Sequence, residues 1–211
     1  MLNMLLMIAI SYLMGSIPTS IIAGKLLKGI DIRKEGSGNA GATNVFRVLG
    51  WKAGLVVLLI DMLKGWIPTV YVSQLGMDSG LGWHAINYQI VAGISAMFGH
   101  IWTIFASFKG GKGVGTGAGM IIGLAPVPVL VCIIVFIVTV WLTRFVSLGS
   151  ILASITFMAV VFVQKFALNQ PVPIELLIFS VFIPVLIIFT HRANVQRLLK
   201  GEENKIQFKK S

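Results

Sequence analysis

Apolar residues in this chain come in long unbroken runs. Stretches near 3–24, 53–73, 87–107, 126–143, 147–167 and 174–191 are almost wholly apolar. Each approaches the roughly 20 residues that a helix needs to cross a bilayer. A seventh run, 113–124, reads GVGTGAGMIIGL and is shorter. At 1.5 Å per residue it reaches about 18 Å, against a hydrocarbon core of about 30 Å. It must tilt, lean on neighbours or act as a half-helix. Pro126 and Pro128 break it from the run that follows. The pattern predicts an all-α membrane protein.

Composition supports that reading. Of 211 residues, 56% are hydrophobic and only 11% charged, where a soluble domain carries about a quarter charged residues. The length suits one domain spanning 1–211. No Lys or Arg precedes the first apolar run, and the first bases are Lys25 and Lys28. A secretory signal begins with a basic segment, so a retained first helix with its N-terminus outside is expected. The single cysteine, Cys132, lies in an apolar run and is expected to pack as a small apolar side chain. The scattered histidines have no metal-ligand spacing, so no metal is expected.

The formal charge is +10. In a soluble protein it would suggest nucleic acid; here its location matters first. If each of seven runs crosses once, fifteen of the seventeen Lys and Arg residues fall on one side. They include Lys25, Lys28, Arg33, Lys34, Arg47, Lys52, Lys109, Lys112, Arg144, Arg192, Arg197, Lys200, Lys205, Lys209 and Lys210. Only Lys165 falls opposite, and Lys64 lies within a helix. The positive-inside rule makes the crowded side cytoplasmic. The alternation holds only if the short run also crosses. The expectation is seven transmembrane helices, one of them short, with the N-terminus out and the C-terminus in the cytoplasm.

The inner connections also carry the unusual sequences. GSGNAGATNVFRVLG, from Gly36 to Gly50, has glycines for close backbone approach and hydrogen-bonding groups at Ser37, Asn39, Thr43 and Asn44. Arg47 supplies a planar fork for phosphate or carboxylate. An ordinary helix–loop–helix connection would account for the composition about as well. FKGGKG places Gly110, Gly111, Lys112 and Gly113 before the short helix, where backbone N–H groups and a full positive charge suit an anion. It is no ATP-binding loop, since Gly113 stands where Ser or Thr is required and no strand precedes it. The following small residues Gly115, Gly117 and Gly119 also let helices pack closely in lipid. Asp61 and Lys64 share a helical face at depth, either for function or as a neutralising pair. His191 and Asn194 share a face at the inner boundary, and Arg144, Ser147 and Ser150 form a similar group. Arg192, Arg197 and the tail GEENKIQFKKS suit anionic lipid headgroups.

Taken in order, GSGNAGATNVFR, DMLKG, FKGGKGVGTGAG and HRANVQRLLKGEE resemble the bacterial acyl-phosphate:glycerol-3-phosphate acyltransferase (PlsY) family. The resemblance runs from Gly15 to about Glu203. Thr103 stands where the family often has Pro, and Gly115 where Ala is usual. The resemblance implies a bacterial inner-membrane enzyme with its active site on the cytoplasmic side. It would acylate the sn-1 hydroxyl of glycerol 3-phosphate from acyl phosphate, the first acylation step of phospholipid synthesis, and release lysophosphatidic acid and phosphate. It implies no cofactor, contact with membrane lipids, the soluble acyl-phosphate synthase as a partner, and no role for nucleic acid. It points to Ser37, Arg47, Lys112, His191 and Asn194 as the core site, with Ser150, or its neighbour Ser147, as a further contact. Gly38, Asn39, Thr43, Asn44, Lys64, Gly110, Gly111 and Gly113 complete the expected substrate contacts.

Acyl phosphate has a good leaving group, so positioning two anions is the main task. The acceptor hydroxyl's proton could go to His191 or to a phosphate oxygen of bound substrate. Two other readings remain at this stage. A half-helix aimed at an anion is also transporter architecture, though no inverted repeat is visible. A lipid-scaffolding protein would leave the Asn/Ser/Arg segment without a purpose.

Overall fold

In a computed structural model of the chain, residues 1–207 are described; Lys209 and Lys210, expected on the inner face, lie outside the described residues. Regular structure among the described residues is helical throughout, with no strand. The elements are α1 (Leu2–Ser16), α2 (Thr19–Lys28), α3 (Ala42–Leu49), α4 (Trp51–Ile67), α5 (Ser73–Met77) and α6 (Ala85–Ile101). There follow α7 (Val114–Leu124), α8 (Pro126–Thr143), α9 (Val146–Phe162), α10 (Ile174–Thr190) and α11 (Arg192–Leu199). They form two compact units, Met1–Leu124 and the remainder from Ala125.

Five helical stretches among the described residues are long and apolar enough to cross a membrane, or six if the bent pair α10–α11 is one span. α7 is apolar but has only 11 residues. Their outer faces carry large exposed apolar side chains, such as Leu55, Leu59, Leu130, Ile134 and Val185, which a lipid environment accommodates without cost. Hydrocarbon offers no partner to backbone N–H and C=O groups, which is why the spans are helices.

Prolines set the breaks. Pro18 has no N–H to continue α1, so the first apolar run divides into α1 and α2. The second run, read from sequence as one span, contains Pro68, and the chain takes a π-turn over Pro68–Val72 before α5. Pro126 sits in the first turn of α8, where its missing N–H costs nothing.

In the first unit α1 packs on α6 and α4 on α7; in the second, α9 packs on both α8 and α10. Two of these contacts are backbone against backbone. A Cβ on Gly15 would overlap the Ala96 carbonyl, and one on Gly119 would overlap the Met62 carbonyl. Small residues thus bring these helices close, as lipid-embedded packing requires in the absence of a hydrophobic drive between helices. Several buried hydroxyls are satisfied locally: Ser73 donates to Thr69 O at 2.8 Å, Thr69 to Gly65 O at 2.8 Å and Ser95 to Val91 O at 2.7 Å.

We expect Gly119→Ala to push α4 and α7 apart and to cost roughly 1–3 kcal/mol, the usual penalty for overpacking. A thermal unfolding midpoint in detergent checks it. Leu130→Ala, on an exposed face of α8, should shift that midpoint far less.

Candidate active site

The segment after α2 does not stay a loop. Gly29 ends α2 in the left-handed conformation, a short 3₁₀ turn covers Ile32–Lys34, and α3 begins at Ala42. Sequence reading had placed Asn44 and Arg47 in a Gly-rich connection; both stand on α3. The apolar side chains of Val45 and Ile32 are fully buried and hold the segment down. Asn44 organises it. Its Oδ1 accepts the Ser37 N–H at 2.8 Å, and its Nδ2 donates to Ile32 O at 2.9 Å and Glu35 O at 3.0 Å. Gly36 and Gly38 have φ of +59° and +72°, which favours residues without a Cβ. The Ser37 side chain is exposed above this turn, while Asn39, Thr43 and Arg47 are half-buried. Asn44 itself is buried, and both its amide protons serve the turn.

A second brace ties this segment to the turn that follows α6. Arg33 pairs with Asp31 at 2.7 Å and donates from Nη1 to Ala106 O at 3.1 Å. The hydrogen bond from the Arg33 side chain is the main reason the Asp31 carboxyl falls from 3.8 to about 2.

After α6 the chain reverses through Ser107 and Phe108, both at positive φ. Gly110 N–H then donates to Ile101 O and Gly111 N–H to His100 O, each at 3.0 Å. These bonds satisfy two carbonyls at the end of α6. The amides of Gly110 and Gly111, expected to face an anion, are therefore engaged within the protein. What these glycines supply is the path of the chain: a Cβ on Gly110 would overlap His100 O, and one on Gly111 would overlap the His100 ring. Lys112, half-buried, and Gly113, at φ +84°, lead from there into α7.

The DMLKG pair lies just beneath. Lys64 is buried; its Nζ lies 2.8 Å from Asp61 Oδ1 and donates to Ile17 O at 2.9 Å. The neutralising reading of that pair is present in the geometry.

The second unit holds the other expected residues. Ser147 and Ser150 lie buried near the start of α9, and Ser150 donates to Val146 O at 2.9 Å. The chain bends by 66° between α10 and α11, at His191. His191 is buried, and its Nδ1–H donates to Ile187 O at 2.8 Å. That bond puts the lone pair of the neutral ring on Nε2. Asn194 Nδ2 donates to Glu203 Oε1 at 2.6 Å, Ser147 Oγ donates to the same oxygen at 2.8 Å, and Arg197 Nε donates to Oε2 at 2.7 Å. Ile206 N–H donates to Arg144 O at 2.8 Å. The tail as far as Ile206, read from sequence as a lipid contact, is thus fastened to the α8–α9 turn.

A family model described as glycerol-3-phosphate acyltransferase matches residues 5–201. The chain belongs to that family, the PlsY acyltransferases. A glycerol-3-phosphate acyltransferase of Chlorobaculum tepidum is 50% identical, with 99% of this chain and 98% of the relative covered. One from Chlorobium phaeobacteroides is 46% identical, with the same coverage. Among solved structures, crystal forms of PlsY, an integral membrane glycerol 3-phosphate acyltransferase, are similar. The glycerol 3-phosphate form has a TM-score of 0.84 at 36% identity, covering 97% of this chain and 96% of that chain. The lysophosphatidic acid form has a TM-score of 0.81 at 36% identity, covering 97% and 95%. With its apolar helices, the chain is a multi-pass membrane protein of the PlsY type.

Glu203 is the residue that sequence reading missed. One signal could have found it: in a chain with seven acidic and seventeen basic residues, an acid beside the HRANVQR segment is a natural partner for its bases. Among the described residues, no cluster of three or more His, Cys, Asp or Glu could hold a metal.

Burial raises the Glu203 carboxyl, but hydrogen bonds from Asn194, Ser147 and Arg197 outweigh that and leave it below 4.5. A folded value below the unfolded one stabilises the protein fully above about pH 4.5 and less as pH falls through the folded value. We expect Glu203→Gln to lower the unfolding midpoint at pH 7. The gap to wild type should hold down to about pH 5 and close below it, read by thermal scans across pH.

Proposed function

We propose that the chain transfers an acyl group from acyl phosphate to the sn-1 hydroxyl of glycerol 3-phosphate, giving 1-acyl-glycerol 3-phosphate and inorganic phosphate. The observation that carries this reading is full-length likeness: nearly the whole chain matches a PlsY structure in its glycerol 3-phosphate form at a TM-score of 0.84. The acyl-phosphate donor follows from the sequence resemblance. Residues 1–211 act as a single acyltransferase domain in the bacterial inner membrane. α7 serves as the short seventh crossing, the N-terminus is out, and the substrates are met from the cytoplasm. Lipids surround it, and the soluble acyl-phosphate synthase supplies the donor.

In this reading the acceptor hydroxyl oxygen bonds to the acyl carbon as the carbon–oxygen bond to phosphate breaks. The phosphate departs with that electron pair, and the hydroxyl proton passes to a phosphate oxygen. No covalent enzyme intermediate is needed, because the mixed anhydride carries its own leaving group. The protein's task is to hold mutually repelling anions and to offset charge as it develops. Arg47 and Lys112 supply the positive charge. Ser37, carried on the turn that Asn44 ties down, and Asn39 and Thr43 beside it supply hydrogen bonds. Gly38 and Gly113, both at positive φ, shape the turns beside the anion, and Gly110 and Gly111 set the path of the chain to Lys112. His191 and Asn194, with Ser147 and Ser150, bind glycerol 3-phosphate.

Two variants test the assignment in purified protein given palmitoyl phosphate and glycerol 3-phosphate, with acyl-CoA as the donor control. Lys112→Ala should lower the rate of phosphate release by roughly 100-fold or more without loss of thermal stability; a wild-type rate would remove Lys112 from the site. His191→Gln should raise the KM for glycerol 3-phosphate and largely keep kcat. A collapse of kcat at saturation would instead make His191 the base.

A further inference from the structure

Asp61 and His100 lie outside the residues assigned above; Lys64, expected from the resemblance to contact substrate, sits with them, and all three are buried in the first unit. Asp61 Oδ1 is the centre. It accepts the Thr19 hydroxyl at 2.5 Å and sits 2.8 Å from Lys64 Nζ and 3.7 Å from His100 Nδ1. The last distance is too long for a hydrogen bond, but it holds the ring's Nδ1 edge towards the carboxylate. Lys64 reaches on to Ile17 O, at the α1–α2 break. Thr103 donates to Ser16 O beside it.

The far edge of the His100 ring meets the glycine turn. His100 O accepts the Gly111 N–H. The ring stands where a Gly111 Cβ would be, with Nε2 the nearest atom and Ala40 O close behind at 3.0 Å from that position. Ala40 ends the turn that begins at Gly36. Thus the 36–41 turn, the 109–113 turn and the His100 ring meet at one point. Beside it is a small pocket lined among others by Thr19, Ala40, Lys64, His100, Gly110 and Gly111.

Charged groups are costly among apolar helices and are retained where they do something. If neutralisation were the only purpose, an apolar pair would do as well or better. The geometry points to a positioning role: we propose that the Asp61–Lys64 pair fixes the His100 ring, which in turn sets the Gly110–Gly111 backbone against Ala40 and so places Lys112 for phosphate. The inference rests on the reading that Lys112 holds substrate phosphate. These residues touch the turn, not the reacting atoms.

The test uses the full chain in detergent with two variants, one a charge-neutral pair, Asp61→Asn with Lys64→Met. The other is His100→Asn, which removes the ring from above Gly111 and leaves the ion pair in place. Three quantities are read: the thermal midpoint, amide hydrogen exchange in the peptide covering 108–114, and kcat with both substrates saturating. We expect both variants to remain folded and exchange in 108–114 to rise about tenfold. We expect kcat to fall roughly tenfold or more, as displaced catalytic groups cause. Wild-type exchange and wild-type kcat in either folded variant would overturn the proposal. Faster exchange with unchanged kcat would also overturn it, since the turn's placement would then not matter to transfer. Should the charge-neutral pair fail to fold, His100→Asn decides alone. Exchange is read without any substrate, so a wild-type protein that transfers nothing would sink the acyltransferase reading, while exchange would still show whether the ring holds the turn.

Discussion

Hydrocarbon gives a polar group nothing to bond to, and most of what is distinctive here follows from that constraint. Backbone groups are satisfied within helices, and several buried hydroxyls, among them Ser73, Thr69 and Ser95, donate back to their own helix. Where helices cross most closely, glycine lets one backbone lie on another. Within the α4 run the charged side chains Asp61 and Lys64 face each other at 2.8 Å. The remaining chemistry is left to the segments between the long apolar helices, short α3 included, where Asn44, Arg33 and Glu203 each gather several neighbours. Each of these three residues shapes backbone or side chains that carry expected site residues.

Much of this was legible in the chain itself. The helical runs were visible because 20 apolar residues have no other stable state in lipid. The short run was recovered almost to the residue as Val114–Leu124. What the runs hid was their internal punctuation. Pro18 divides the first stretch into α1 and α2, and Pro68 opens a π-turn through which the second helix continues; hydropathy alone shows neither. α3 was hidden too, because its eight residues sit in a segment rich in Gly, Asn and Thr. Local composition there argues for a loop; the burial of Val45 and the hydrogen bonds of Asn44 decide otherwise.

The site was legible as residue types and less so as geometry. Glycines in FKGGKG suggested amides turned towards an anion, but two of those amides close onto the carbonyls that end α6. Terminal carbonyls need donors wherever they fall, and the nearest glycines supply them. Glu203 joins Asn194 and Arg197, close by in the chain, to Ser147, 56 residues earlier, and no periodicity speaks over that last distance.

The π-turn at Pro68–Val72 works as an angular spacer. A π-turn holds one residue more than the α-helical turn it replaces, and each residue swings the chain by about 100° about the axis. The azimuth of α5 is therefore set by a count, not by any side chain. At this setting Gly76 faces Met7 and Tyr88, where a Cβ would come within 2.6 Å of the Tyr88 ring. The fit of α5 to its neighbours is thus a matter of phase: a length change of one residue upstream would present a different face to the same two side chains.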